Sequence, residues 1–128
     1  MNRDEKRNRD AEMPGLTVQC KAPTVALQAA LPGTLEIDTV TNCLVVRTQI
    51  SRAPGIHNLV DIDVAWPPGW SVALRDGVVV LLDAAGQIAG RLGDEVIVGG
   101  GFVDIAIADV VSCTGQERIF QAYELTRT

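Results

Sequence analysis

In the stretch Leu59-Val-Asp-Ile-Asp-Val-Ala-Trp66, two carboxylates stand two residues apart. On a strand, that spacing projects both side chains to the same side. A hard metal ion or an acid/base pair could use such an arrangement. Glu36 and Asp38 repeat the spacing elsewhere, so the plainer account of Asp61 and Asp63 is the solvated face of an amphipathic strand. His57, the single histidine, lies just upstream. Together with Asp61 and Asp63 it could serve a small hydrolase or a metal-dependent enzyme, provided these groups converge in a concave pocket. Ser51, Ser71 and Ser112 occupy no nucleophile-elbow context. In its Pro-Gly loop, His57 reads more simply as an exposed polar residue.

Gly99-Gly-Gly-Phe-Val-Asp104 follows a strand-like run, as a phosphate-binding turn would. Asp104 stands where the dinucleotide pattern requires glycine, however, and its carboxylate would repel phosphate. The chain that follows is too short for a βαβ unit, so the glycines read as a bend or bulge. The three cysteines have no CxxC spacing, which indicates neither a zinc site nor a thioredoxin-like motif. No metal or cofactor is expected. In an oxidising compartment Cys43 and Cys113 would pair and Cys20 would be the odd thiol. Closing a loop of about 70 residues would stabilise by roughly 4 kcal/mol in the chain-entropy model. In a reducing cytosol all three would be free. Both readings stand.

Both tryptophans flank one turn, Trp66-Pro67-Pro68-Gly69-Trp70, in a chain with five aromatic residues. Trp66 falls in register with Val60, Ile62 and Val64 and so belongs to a core-facing row. Pro67 and Pro68 lack backbone donors and end strand pairing there. Trp66 is therefore expected to plug one end of a core, with Trp70 folded over it or partly exposed on the rim. A rim tryptophan on a rigid loop buries large area at little entropic cost. Trp66 to Trp70 is the candidate contact surface for a protein or small-molecule partner.

The elements that must position these groups are short and mostly extended. Residues 1–23 read as a charged tail, and 24–128 as a single domain. Thr24 could cap a short helix ended by Leu31-Pro32-Gly33. Period-two patterning then begins: 34–40, then 42–49 across a tight Thr41-Asn42 turn, a loop at 51–58, and 59–66. Gly77–Asp83 reads as a strand buried on both sides, followed by turns at Ala84-Ala85-Gly86 and Gly93-Asp94. Residues 102–111 suit strand or helix equally, and 118–125 forms a closing strand. About seven strands with turn chemistry between them indicate a small antiparallel β-barrel, OB-like, with at most one or two short helices.

The 128 residues suit a single domain, and 47% hydrophobic content supplies an aliphatic core. Residues 1–12 are charge-balanced, so the whole net charge of −5 falls on the remainder. An acidic domain with few aromatics is a poor partner for nucleic acid. No apolar run is long enough to span a membrane, and no signal-peptide h-region is visible. A cytoplasmic location fits, as does the cell envelope if the chain is a trimmed export product.

The order WPPGWSVALRDG, VVVLLDAAGQIAGRLGDEVIVGGG and SCTGQERIFQAYEL resembles a family of small, uncharacterised proteins from high-GC Gram-positive bacteria. The resemblance rests on Trp66–Gly69, Arg75–Gly77, Asp83–Gly86, Gly93–Gly101 and Cys113 with Phe120 and Tyr123. It implies an exported or lipid-anchored protein in which an early strand cysteine is available to a late one. It implies no activity. The sequence reading is thus a non-catalytic binding or structural module, with the His57/Asp61/Asp63 enzyme and a homo-oligomer subunit as the competing classes.

Overall fold

The computed structural model describes residues 13–21 and 28–128; the side chains of residues 51–53, 56 and 57 lie outside that description. The strands are β1 (Thr17–Val18), β2 (Ala29–Asp38), β3 (Cys43–Ala53), β4 (Ile56–Ile62), β5 (Val64–Trp66), β6 (Ser71–Arg75), β7 (Val78–Leu82), β8 (Ile88–Arg91), β9 (Glu95–Asp104) and β10 (Arg118–Arg127). One helical turn, α1 (Ile105–Ala108), follows β9. The chain is mostly β, as its alternation predicts.

Seven strands form one curled half-barrel sheet in the order β1-β5-β10-β9-β2-β3-β4, and β6-β7-β8 form a small meander. The curl has a covalent cause. Asp63 alone separates β4 from β5, yet β4 is one edge of the sheet and β5 lies beside the other. A single extended run joins opposite ends, and the sheet accommodates it by bending round. β4 pairs antiparallel with β3, whereas β5 pairs parallel with both β10 and β1. The parallel pairs are additions to the antiparallel scheme the sequence suggests.

The enclosed core is aliphatic around two aromatics, with Leu35, Leu44, Val64, Trp66, Leu81 and Phe120 among its members. Leu81 comes from the meander, so the small sheet covers the same core. The join is also hydrogen-bonded: Leu35 donates to the Asp94 carbonyl at 3.0 Å and accepts from Gly93 at 2.8 Å.

Those two bonds fix which way β2 points its polar groups. Odd-numbered residues face β9, and even-numbered residues face β3. Pro32 is even-numbered and has no N–H to offer β3. The β2–β3 ladder ends at Thr34↔Arg47, while β2 continues against β9 from Thr34 back to Ala29. The outer half of the β3–β4 hairpin consequently leaves the sheet.

Several sequence expectations are corrected. Residues 13–21 fall in the expected tail, yet Thr17 and Gln19 are buried, because the segment wedges between β3 and β5. Leu31-Pro32-Gly33 does not end a helix but lies within β2, held by pairing to Val98, Ile97 and Val96; residues 22–27 are outside the described residues. The loop expected at 51–58 shrinks to a turn at Pro54-Gly55, since both strands continue through it. Val78–Leu82 is buried only from Val80 onward; Val78, at the hairpin tip, is exposed. The three glycines do not interrupt β9, and the register shift lies on the facing strand between Ala122 and Glu124. Residues 102–111 divide, strand to Asp104 and then α1, which ends at Asp109 in the left-handed region.

Candidate functional site

The Trp66-Pro-Pro-Gly-Trp70 turn closes one end of the core. Trp70 donates its backbone N–H to the Pro67 carbonyl at 3.2 Å, and Gly69 adopts φ 86°. Glycine is needed there twice over: the backbone is left-handed, and a Cβ would stand 3.1 Å from that of Ala84. The turn folds Trp70 back onto Trp66, with ring centroids 5.6 Å apart and planes 8° from parallel. Trp66 is fully buried, so it plugs the core and offers no surface. Pro67, Pro68 and Trp70 are half-buried and Gly69 is exposed. Of the five expected contact residues, these four form the accessible rim.

The two carboxylates of the acidic pair are held by different partners. Asp61 faces Arg47 across the β3–β4 ladder and receives its guanidinium in bidentate fashion, at 2.8 and 3.2 Å. The Asp61 hydrogen bond in turn raises the Arg47 pKa above its ordinary value. Asp63 is fully buried, which overturns the solvated-face expectation. The N-terminal segment and the loop before β10 cover it. Thr17 donates to both of its oxygens, and Ser112 and Thr114 both donate to Oδ2. His57 stands opposite Ser51 in backbone register, and its side chain lies outside the described residues.

Around Asp63 the loop is held by further contacts. Gln116 accepts from the Asp63 N–H at 3.2 Å and donates to the Asp61 carbonyl at 3.1 Å. Cys113 N–H donates to Thr17 Oγ1 at 2.8 Å, and Cys113 is disulfide-bonded to Cys43. Cys20 is free and exposed. Gln19 donates to the carbonyls of Ala65 and Ala122, both at 2.8 Å. The Asp63 carboxylate, with its three hydroxyl donors, joins three chain segments.

Comparison with protein-family models, curated proteins and solved structures finds no match. The site must be read from its own geometry. A groove of about 430 Å³ opens where β3 leaves β2, lined by Pro32, Thr34, Gln49, Leu59, Ile97 and Thr128 among others. A second hollow of about 380 Å³ lies between Leu16, Val18 and Cys20 on one side and Asp109–Val111 on the other. Among the described residues, no group of three or more His, Cys, Asp or Glu side chains is placed to hold a metal ion.

Sequence reasoning missed Thr17, Thr114 and Gln116, and read Ser112 only as a failed nucleophile. One signal was present. Asp63 is followed on its own face by Ala65, not by another polar residue, so the supposed solvated face ends there.

Proposed function

We propose that this protein is a non-catalytic binding module, with the rim Pro67-Pro68-Gly69-Trp70 as its contact surface. The observation that carries the reading is the Trp66–Trp70 stack: a fully buried ring holds a half-buried one in place on a proline-stiffened turn. A contact residue so held loses little freedom on binding. The hydrolase reading with His57, Asp61 and Asp63 is weaker, because Arg47 engages one carboxylate and three hydroxyls engage the other.

The strand connections support an OB-like barrel. Taken as one bent strand, β4–β5 lies between β3 and β10 and is parallel to β10, within the circuit β2-β3-β4/β5-β10-β9. OB-folds serve as platforms for oligonucleotides and oligosaccharides, which is an argument by fold alone. The net charge of −5 disfavours a phosphate backbone and leaves a protein or an uncharged ligand as the preferred class. The Cys43–Cys113 bond supports an extracytoplasmic site at the cell envelope, where disulfides persist.

Acrylamide quenching of tryptophan fluorescence tests the contact surface. In a Trp66→Phe chain the remaining Trp70 is expected to be readily quenched and red-shifted. In a Trp70→Phe chain, Trp66 is expected to be blue-shifted and shielded. If Trp70 is shielded as well, the turn offers no contact surface and the reading fails.

A further inference from the structure

Residues 15–19 lie as a strap across the Cys43–Cys113 bond. Gly15 donates its N–H to the Asn42 carbonyl at 2.8 Å and accepts from the Leu44 N–H at 3.0 Å, so it bridges the two residues that flank Cys43. A Cβ on Gly15 would stand 2.6 Å from Cys113 Sγ and 3.9 Å from Cys43 Sγ, which means that the main chain rests directly on the sulfurs. Two residues on, Thr17 Oγ1 accepts from the Cys113 N–H at 2.8 Å. Gln19 then donates its N–H to the Trp66 carbonyl at 2.9 Å. The first two of these three anchor points are built on the disulfide or on the residues beside it.

The two cysteines are not held alike. Cys43 is fully buried and sits in the β2–β3 ladder opposite Asp38. Cys113 is half-buried, in the loop between α1 and β10. That loop has a narrow neck, where the Ile105 N–H donates to the Glu117 carbonyl at 2.8 Å. Its first half is weakly anchored: α1 buries none of its residues, and Ile107 and Val111 are 76% and 89% exposed. The hollow of about 380 Å³ separates residues 109–111 from Leu16, Val18 and Cys20, so the loop has space beside the strap. A segment with few buried contacts opens without unfolding the rest. The disulfide and the groups around Asp63 are what fix this one.

We propose that the Cys43–Cys113 bond is a redox latch for this strap: a dithiol reductant opens it and frees residues 15–19 from the slot between β3 and β5. One thiolate of the dithiol attacks Cys113 Sγ, on the half-buried residue, and the bond to Cys43 breaks with Cys43 leaving as thiolate. The second thiolate of the dithiol then displaces Cys113 from the mixed disulfide. One electron pair has passed to the protein, the two protons of the dithiol end on Cys43 and Cys113, and the reductant departs as a disulfide. Two separate thiols need more room than a bonded pair, and a close-packed interior has none to spare. Cys43 is fixed in its ladder, so Cys113 and the Gly15 main chain resting on it must yield. As Cys113 moves, its N–H leaves Thr17 and the second anchor loosens with the first. The slot so opened runs along Ala65 and Trp66, the strand that leads into the tryptophan turn. The latch operates whether or not that turn binds a partner.

Amide hydrogen exchange of the full chain, with and without excess dithiothreitol, tests it. A Cys20→Ser background keeps the free thiol out of the exchange, and thiol titration verifies that Cys43 and Cys113 have been reduced. The sensors are the amides that the strap makes or receives: Gly15, Gln19, Leu44 and Cys113. Each should exchange at least about tenfold faster in the reduced protein. The Leu35 and Leu92 amides, bonded to Asp94 and Val79 on the far side of the core, should keep their rates. Removing the dithiol and reoxidising should restore protection of the strap. Three outcomes overturn the inference. The bond may resist the dithiol in the folded protein; the strap amides may stay protected after reduction; or every amide, Leu35 and Leu92 included, may accelerate alike, which makes the disulfide a staple of the whole fold.

Discussion

Thr17 reaches across 46 residues of sequence to donate its hydroxyl to both oxygens of Asp63, at 2.9 and 3.0 Å. The contact fastens the N-terminal segment to the one residue where β4 becomes β5. Ser112 and Thr114 bring the loop before β10 to the same carboxylate. A hydroxyl has one proton to give, and three of them converge on this anion. Asp63 thus secures the bend on which the curl of the sheet depends.

Asp63→Ala should lower the free energy of unfolding by about 3 kcal/mol, because it strands buried hydroxyl donors as well as removing their acceptor. Asp63→Asn keeps one acceptor oxygen and should cost roughly half as much. Urea titration is the measurement: the midpoint falls in both variants, with an unchanged slope if the fold is retained. Equal stability of all three proteins would mean that the carboxylate holds nothing.

The disulfide closes a 70-residue separation. Replacing Cys43 and Cys113 with serine should cost roughly 4 kcal/mol in the chain-entropy model. Its loss should not add simply to that of Asp63→Ala, since Cys113 N–H donates to the Thr17 hydroxyl that serves Asp63. A double-mutant cycle is expected to give a coupling of about 1 kcal/mol, because one change already loosens what the other would release. Strict additivity would show that bond and network act on separate parts of the fold.

The two tryptophans should differ sharply on truncation. Trp66→Ala removes a fully buried ring from the core and is expected to cost about 3–5 kcal/mol. Trp70→Ala removes a half-buried ring and its stack, for an expected loss of about 1–2 kcal/mol. Thermal unfolding followed by far-UV circular dichroism separates them, and similar losses would contradict the plug-and-rim arrangement.

What the sequence made legible follows from what is periodic and local. Val64 and Trp66 announce a buried face by alternation, and Asp83-Ala-Ala-Gly86 and Gly93-Asp94 announce turns by composition. The fate of Asp63 depends on Thr17 and Ser112, 46 and 49 residues away, and no local pattern carries that information. Burial of the Thr17 segment was hidden for the same reason. A two-residue strand has no period to detect, and it exists only because β3 and β5 leave a gap for it. Pro32 carries a further local signal. A proline inside an alternating run marks the side on which a ladder must stop.

Gly100 offers the sharpest test of the sheet itself. A Cβ there would fall on the Gln121 carbonyl oxygen and lie 3.0 Å from the Phe120 ring. Neither neighbour can give way cheaply, since one is backbone within the β9–β10 ladder and the other is a fully buried core side chain. At Gly99 the nearest atom is Glu124 Cγ at 2.9 Å, on an exposed side chain that can swing aside. Gly100→Ala should therefore cost about 3 kcal/mol or more, while Gly99→Ala stays within about 1 kcal/mol. Chemical denaturation of the two variants side by side decides the matter. Tolerance of alanine at both positions would mean that β10 does not cross β9 this closely.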